Sequence, residues 1–187
     1  MNYSGYYPCD NLNGEGYRTT LFVSGCGRKP KCPFCHNKQA WDFNYGNKYT
    51  EEFHKEILRD CSFDYIDGLS ILGGEPMDNL SGGELLKLVR DFRKLYPNKT
   101  IYCWTGYTYE DLIKDEIKLE FIKELDYLID GDFQIDKKDL NLGYAGSTNQ
   151  RWIDIQKSLK ENNIVLYKWN YFRKLLLTIV TNDDINL

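Results

Sequence analysis

The sequence predicts an α/β fold built on a parallel sheet with right-handed crossovers. Three observations predict it. Short β-branched or apolar runs alternate with longer stretches of helical periodicity. Each apolar run ends in a turn that carries glycine. The chain has 187 residues and no internal repeat. That length supports one domain with a real core, yet falls short of the about 250 residues of a complete eight-unit β/α barrel.

The elements follow in order. Thr19 to Val23 is β-branched and aromatic and stops at Ser24-Gly25, so it reads as the first strand. Cys26, Cys32 and Cys35 come next, in a loop that holds Gly27, Pro30 and Pro33. Thr50 caps a helix in which Phe53, Ile57 and Leu58 share one face. His54 lies in that charged helix and reads as a solvated surface residue. Gly68 to Leu72 is a second strand that ends in Gly73-Gly74. Ser81 and Glu84 have capping-box spacing ahead of a helix carrying Leu85, Leu88, Val89, Phe92 and Leu95, which Pro97-Asn98 stops. Ile101 to Trp104 is a third strand, closed by Thr105-Gly106. Leu112 to Leu125 is a broken amphipathic helical stretch, and Tyr127 to Ile129 a fourth strand before Asp130-Gly131. In parallel sheets chemistry gathers at the carboxyl ends of strands. The cysteines, Gly73-Gly74-Glu75-Pro76, Thr105-Gly106 and Asp130-Gly131 all fall there, which predicts one shared site.

Composition narrows the classes. A net charge of −4 gives no basic footprint, so no nucleic-acid partner is expected. The first residues lack a positive segment followed by an apolar one, so no secretory signal is read. No run approaches the roughly 18 apolar residues of a membrane span. A soluble, cytoplasmic protein with no membrane partner is expected, where thiols stay reduced. The 6 cysteines then read as metal ligands or buried apolar residues, not as a disulfide frame.

Five residues separate Cys26 from Cys32, and two separate Cys32 from Cys35. Thiolates at such spacing converge on a metal centre. A structural zinc site usually takes four protein ligands, and an electron-transfer cluster usually four cysteines. This loop offers three, which would leave one iron of a cluster open. Cys61 and Cys103 read as core residues. Cys9, ahead of the first strand, has no assigned role. Two other readings stay open on the residues alone. Cys32-Pro33-Phe34-Cys35-His36 matches the short c-type haem attachment pattern, which with a plain iron–sulfur site would make a small electron carrier. Zinc with His36 as fourth ligand would make an interaction module.

Taken with these cysteines, several segments resemble the radical S-adenosylmethionine (SAM) superfamily, and within it the glycyl-radical-enzyme activases that serve anaerobic ribonucleotide reduction. They are Met1-Asn2-Tyr3, Tyr7-Pro8, Asn13-Gly14, Arg18, and Leu21-Phe22-Val23-Ser24-Gly25-Cys26. Cys35 with Asn37-Lys38, Trp41, Gly73-Gly74-Glu75-Pro76 and Trp104-Thr105-Gly106-Tyr107 continue it. Asp130-Gly131, Gly146-Ser147 and Asn149-Gln150-Arg151 complete it. The chain departs from that pattern in three places. The first cysteine spacing is five rather than three, with Arg28-Lys29-Pro30-Lys31 inside it. His36 stands where a Tyr-type aromatic is usual, and Glu15 where proline is usual.

The resemblance implies a partial β/α barrel of the radical SAM type over residues 1–151, with 152–187 a C-terminal extension packed on the same domain. Its apolar run Leu175 to Val180 is expected to pack as an added strand or to meet a partner. It implies a [4Fe–4S] cluster held by Cys26, Cys32 and Cys35, with SAM chelating the open iron. Reductive cleavage of SAM would give a 5′-deoxyadenosyl radical that takes hydrogen from a glycine of the partner, the large subunit of anaerobic ribonucleoside-triphosphate reductase. An electron donor such as flavodoxin or ferredoxin is implied as well. Cluster and SAM would carry the chemistry, so no side chain is assigned a catalytic role. Gly73 and Gly74 would let the chain approach the methionine end, and their carbonyls or Glu75 would meet the SAM ammonium. Pro76 would stiffen that turn. Phe34 and His36 would place backbone groups near adenine, and Thr105 would reach the ribose or methionine. Arg18 reads as a contact to partner or SAM carboxylate or as a structural ion pair. Gly146 to Arg151 reads as a partner-docking loop or a helix cap.

Overall fold

The computed structural model describes residues 1–167. The run Leu175 to Val180 lies outside the described residues. Within them the chain forms a mixed α/β fold around one seven-stranded sheet. Its strands are β1 (Asn2–Asp10), β2 (Arg18–Val23), β3 (Asn47–Lys48), β4 (Gly68–Gly73), β5 (Thr100–Trp104), β6 (Tyr127–Asp130) and β7 (Arg151–Asp154). Their spatial order is β3-β1-β2-β4-β5-β6-β7. The middle four strands, β2, β4, β5 and β6, are parallel as the sequence predicts. β1 and β7 pair antiparallel on either side, and β3 adds antiparallel to β1.

Helices α1 (Glu51–Cys61), α2 (Glu84–Leu95), α3 (Tyr109–Leu112) and α4 (Glu116–Lys123) form the crossovers, and α5 (Ile155–Glu161) follows β7. Thr50 caps α1, its side chain accepting from the Phe53 amide. Phe53 and Ile57 face the core, with Leu58 partly buried beside them. The helix predicted around Leu85 begins differently from the capping-box reading. Gly83 is its N-cap and supplies no side-chain hydrogen bond. Glu84 instead accepts from the Met1 ammonium at 2.6 Å. A glycine cap in place of a side-chain cap costs only about a few tenths of a kcal/mol. Leu85, Leu88, Val89 and Phe92 are each 0% exposed, and burial contributes about 1.5–3 kcal/mol for each such side chain. Packing therefore decides the helix.

Other expectations change. Cys9 lies within a strand, β1, rather than ahead of the first one, and is exposed. His54 is not a surface residue: it is 2% exposed. Its Nδ1 lies 2.9 Å from the Tyr49 hydroxyl and its Nε2 3.0 Å from Asp91 Oδ2 on α2. The charged residues beside it in sequence point outward, while His54 turns towards the α1–α2 seam. Cys61 and Cys103 are buried core residues as expected. Arg18 is wholly buried at the end of the sheet opposite the cysteines. It donates to Ser70 Oγ, Thr100 Oγ1 and the Leu69, Thr100 and Glu15 carbonyls. Its guanidinium carbon sits 3.8 Å from the Tyr102 ring centroid. It serves the fold through neutral oxygens and an aromatic face, not through a structural ion pair or a cofactor carboxylate. Gly146 to Arg151 caps no helix; Asp154 does that for α5. The segment is a turn into β7, with Gln150 Oε1 accepting from the Gly146 and Ser147 amides.

Candidate functional site

The carboxyl ends of β2, β4, β5 and β6 open into one cavity of about 730 Å³. Cys26, Cys32 and Cys35 line it, as do Gly73, Gly74, Glu75, Thr105, Gly106 and Gly131. All the predicted site residues, Phe34 and His36 included, therefore meet at one place. Asp130 does not join them; its carboxylate accepts from the Tyr109 amide and from Arg151. The site also contains residues that the sequence reading gave no role in it: Trp104, Phe133 and Tyr144 form aromatic walls. Trp104 sits at a strand end, where a cavity position was legible. Phe133 and Tyr144 come from the long β6–β7 connection, whose path no local pattern announces.

The cysteine loop is fixed by backbone bonds to its neighbours. The Gly25 amide donates to the Ala40 carbonyl at 2.8 Å, and the Cys26 amide to Trp41 at 3.2 Å. Asp78 Oδ2 accepts from the Gly27 amide at 2.6 Å. Between the second and third cysteines, Phe34 takes φ +59°. This left-handed residue turns the chain, and the Cys35 amide donates to the Cys32 carbonyl at 3.3 Å. Phe34 itself is exposed at the cavity mouth.

The Gly73-Gly74-Glu75-Pro76 turn packs against that loop. The Gly74 amide donates to Val23 at 2.8 Å and the Glu75 amide to Gly25 at 2.7 Å. A Cβ on Gly74 would come within 2.3 Å of the Gly25 carbonyl oxygen. Gly73 has φ +114°, and its Cβ would meet the Val23 oxygen at 2.6 Å. The glycines are thus demanded by the protein's own backbone packing, a nearer cause than ligand approach. Pro76 occupies the first turn of a short 3₁₀ helix, Pro76–Asp78, as a stiffening residue would.

Glu75 is 1% exposed. Its Oε1 accepts from Thr105 Oγ1 at 2.7 Å and from the Met77 amide at 3.2 Å, and its Oε2 accepts from Gly106 at 2.8 Å. Burial pushes this carboxyl up to about 7, against the pull of those three donors. The Thr105 hydroxyl is likewise directed at Glu75 rather than into the open cavity.

Whether these residues fit an iron–sulfur cluster turns on the donor set. All three thiols are free, Cys26 buried and the other two half-buried. Burial pushes the Cys26 thiol up, while the Arg28 amide and the Lys31 charge pull it down. Arg28 Nη1 donates to Cys32 Sγ at 2.9 Å. Among the described residues, no three His, Cys, Asp or Glu side chains gather for a single metal ion. A cubane makes a different demand, since its thiolates bind separate irons. Three thiols around a cavity large enough for a nucleoside-sized ligand fit a cluster of that kind.

Comparisons with known proteins bear on the kind of centre. Residues 12–153 match the family model described as a 4Fe-4S single cluster domain. An anaerobic ribonucleoside-triphosphate reductase-activating protein of Pasteurella multocida is 41% identical over 152 residues, 80% of this chain and 95% of that protein. Its namesake in Escherichia coli K12 is 40% identical, over 80% of this chain and 96% of its own. One from Enterobacteria phage T4 is 38% identical over 151 residues, 81% of this chain and 92% of its own. The family model spans every residue that lines the cavity, and the chain belongs to the family of the anaerobic ribonucleoside-triphosphate reductase-activating proteins, with a 4Fe-4S single cluster domain.

Proposed function

We propose that this protein activates an anaerobic ribonucleoside-triphosphate reductase as a radical SAM enzyme, by placing a glycyl radical on the reductase large subunit. The observation that carries the reading is the meeting of three free thiols with the Gly-Gly-Glu-Pro turn in one cavity at four strand ends. Cys26, Cys32 and Cys35 would hold a [4Fe–4S] cluster, which supplies the electron that cleaves SAM. Four parallel strands joined by three helical crossovers support a partial β/α barrel of that superfamily. Residues 1–151 would carry the activity. The strand β7 that starts at Arg151 continues to Asp154 and pairs with β6, so the start of the extension is built into the same sheet.

The chain's own groups have definable tasks. Backbone bonds from the Gly74 and Glu75 amides to the Val23 and Gly25 carbonyls join the glycine turn to the start of the cysteine loop. Glu75 ties the β4 turn to the β5 turn, and the Gly73 and Gly74 carbonyls would meet the SAM ammonium. Phe34, Trp104, Phe133 and Tyr144 supply apolar walls that exclude water around an adenosyl group. His36 stands beside Phe133, ring centroids 6.4 Å apart, where it can flank adenine. No helix among the described residues is long and apolar enough to cross a membrane. An electron donor of flavodoxin or ferredoxin type would reduce the cluster in a cytoplasmic setting.

The test is anaerobic reconstitution with iron and sulfide. A reducible cluster whose EPR spectrum changes on adding SAM, and a glycyl-radical doublet on the reductase after mixing, are expected. An unchanged spectrum and no 5′-deoxyadenosine under reduction would refute the reading.

A further inference from the structure

The Cys26–Cys32 loop contains a feature that the ligand count does not require. Arg28 reaches back across the loop, and its Nη1 donates to Cys32 Sγ at 2.9 Å. The same guanidinium lies against the backbone turn at the end of β5. A Cβ on Gly106 would stand 2.2 Å from Nη1 and 2.6 Å from Cζ. It also lies 5.6 Å from the Tyr107 ring centroid, and Asp132 Oδ2 stands 4.0 Å from Nη2. Its side chain is only 14% exposed. The neighbouring cation, Lys31, is directed elsewhere: its Nζ donates to the Cys26 carbonyl. Arg28 is therefore the one loop cation among the described residues with a hydrogen bond to a ligand sulfur.

We propose that Arg28 is a positioning residue that fixes the Cys32 thiolate and raises the reduction potential of the cluster. The proposal rests on the cluster assignment made above. Its physics is short. A cluster that takes up one electron gains one negative charge, and a fixed, half-desolvated cation beside a ligand sulfur favours that charged form. Tyr107 and the Gly106 backbone hold it from the β5 side, and Asp132 from beyond β6. The loop and two strand ends thus share one side chain.

The test is an EPR-monitored redox titration of the reconstituted protein without SAM, with dithionite as the one-electron reductant. Arg28→Gln removes the charge and keeps a weak donor. It should make the cluster roughly tenfold harder to reduce at fixed ambient potential, a downward shift of about 59 mV for a one-electron couple. Arg28→Lys should recover part of that shift. Gly106→Ala keeps the charge but crowds the guanidinium away from Cys32, and should move the potential the same way by less. This second variant also serves if Arg28→Gln loads too little cluster to titrate. Potentials equal to wild type in the loaded Arg28→Gln protein, or in Gly106→Ala when the first does not load, would overturn the proposal. Failure of the unsubstituted protein to assemble any cluster would instead overturn the function proposed above, so the two failures are distinguishable.

Discussion

Thr105 donates its hydroxyl hydrogen to Glu75 Oε1 at 2.7 Å, joining the end of β5 to the end of β4 beneath the cavity. The Gly106 amide donates to the other carboxylate oxygen. A buried carboxylate with both oxygens hydrogen-bonded is a clamp, and its charge makes it sensitive to pH. The folded state raises the Glu75 pKa from 4.5 to about 7 by burial. A carboxyl raised by folding binds extra protons in the native state, so stability falls as pH rises from about 4.5 to about 7. The full effect is on the order of 3 kcal/mol. Urea unfolding at pH 5, 6, 7 and 8 should show this decline, and Glu75→Gln should flatten it. A decline of equal size in the variant would show that another group causes it.

The cysteines should separate into two classes. Alanine at Cys26, Cys32 or Cys35 should each abolish iron and sulfide retention after reconstitution. Alanine at Cys61 should leave both intact, because that thiol is 0% exposed in the core and burial pushes it up to about 12. The cost there should be only about 1 kcal/mol of stability from the small void. Loss of iron from the Cys61 variant would refute the ligand assignment.

Glycine substitutions should report the packing of the turn. Gly74→Ala drives a Cβ to within 2.3 Å of the Gly25 oxygen, and both partners are backbone. About 3 kcal/mol of stability should be lost, and the cysteine loop should be displaced. Gly83→Ala is the control. It has φ +80° but nothing within 4 Å of the added Cβ, so only the strain of a left-handed alanine remains, about 1 kcal/mol. Equal melting temperatures for the two variants would contradict the contact.

His54 should behave as a core residue. His54→Ala removes the group between Tyr49 and Asp91, and leaves the largely buried Tyr49 hydroxyl without its partner. A loss of about 2–3 kcal/mol is expected by chemical denaturation. A change under about 0.5 kcal/mol, the range of a surface substitution, would return His54 to the surface class.

The legible parts of the molecule are those in which side-chain pattern and burial coincide. The four parallel strands each hold a short β-branched or apolar run and are mostly buried, and α2 repeats Leu85, Leu88, Val89 and Phe92 at helical spacing. The cavity lining was legible because glycine turns mark the strand ends. β1 escaped notice because its nine residues include Gly5 and Pro8, poor strand formers, and several are exposed. They form a strand through pairing with β2, a long-range cause. Glu84 carried a capping signal but meets Met1, which β1 brings alongside. His54 read as a surface group and Arg18 as a partner, SAM or ion-pair contact by residue type, and only their tertiary partners show how they are buried. The sulfur contact of Arg28 had no sequence signal beyond its place in a loop of unusual length.

The order of strands also bears on how the protein is made. Apart from β3, spatial order follows chain order from β1 to β7. Every strand after the first can dock on one already in place, with no reversal across the sheet. Synthesis from the amino end can therefore extend the sheet stepwise, with each closure joining neighbouring stretches of chain. The cavity is the exception to early completion. Its wall of Phe133 and Tyr144 lies between β6 and β7, so it forms only when the last strand of the described chain returns. During synthesis the three thiols emerge long before the pocket around them is closed.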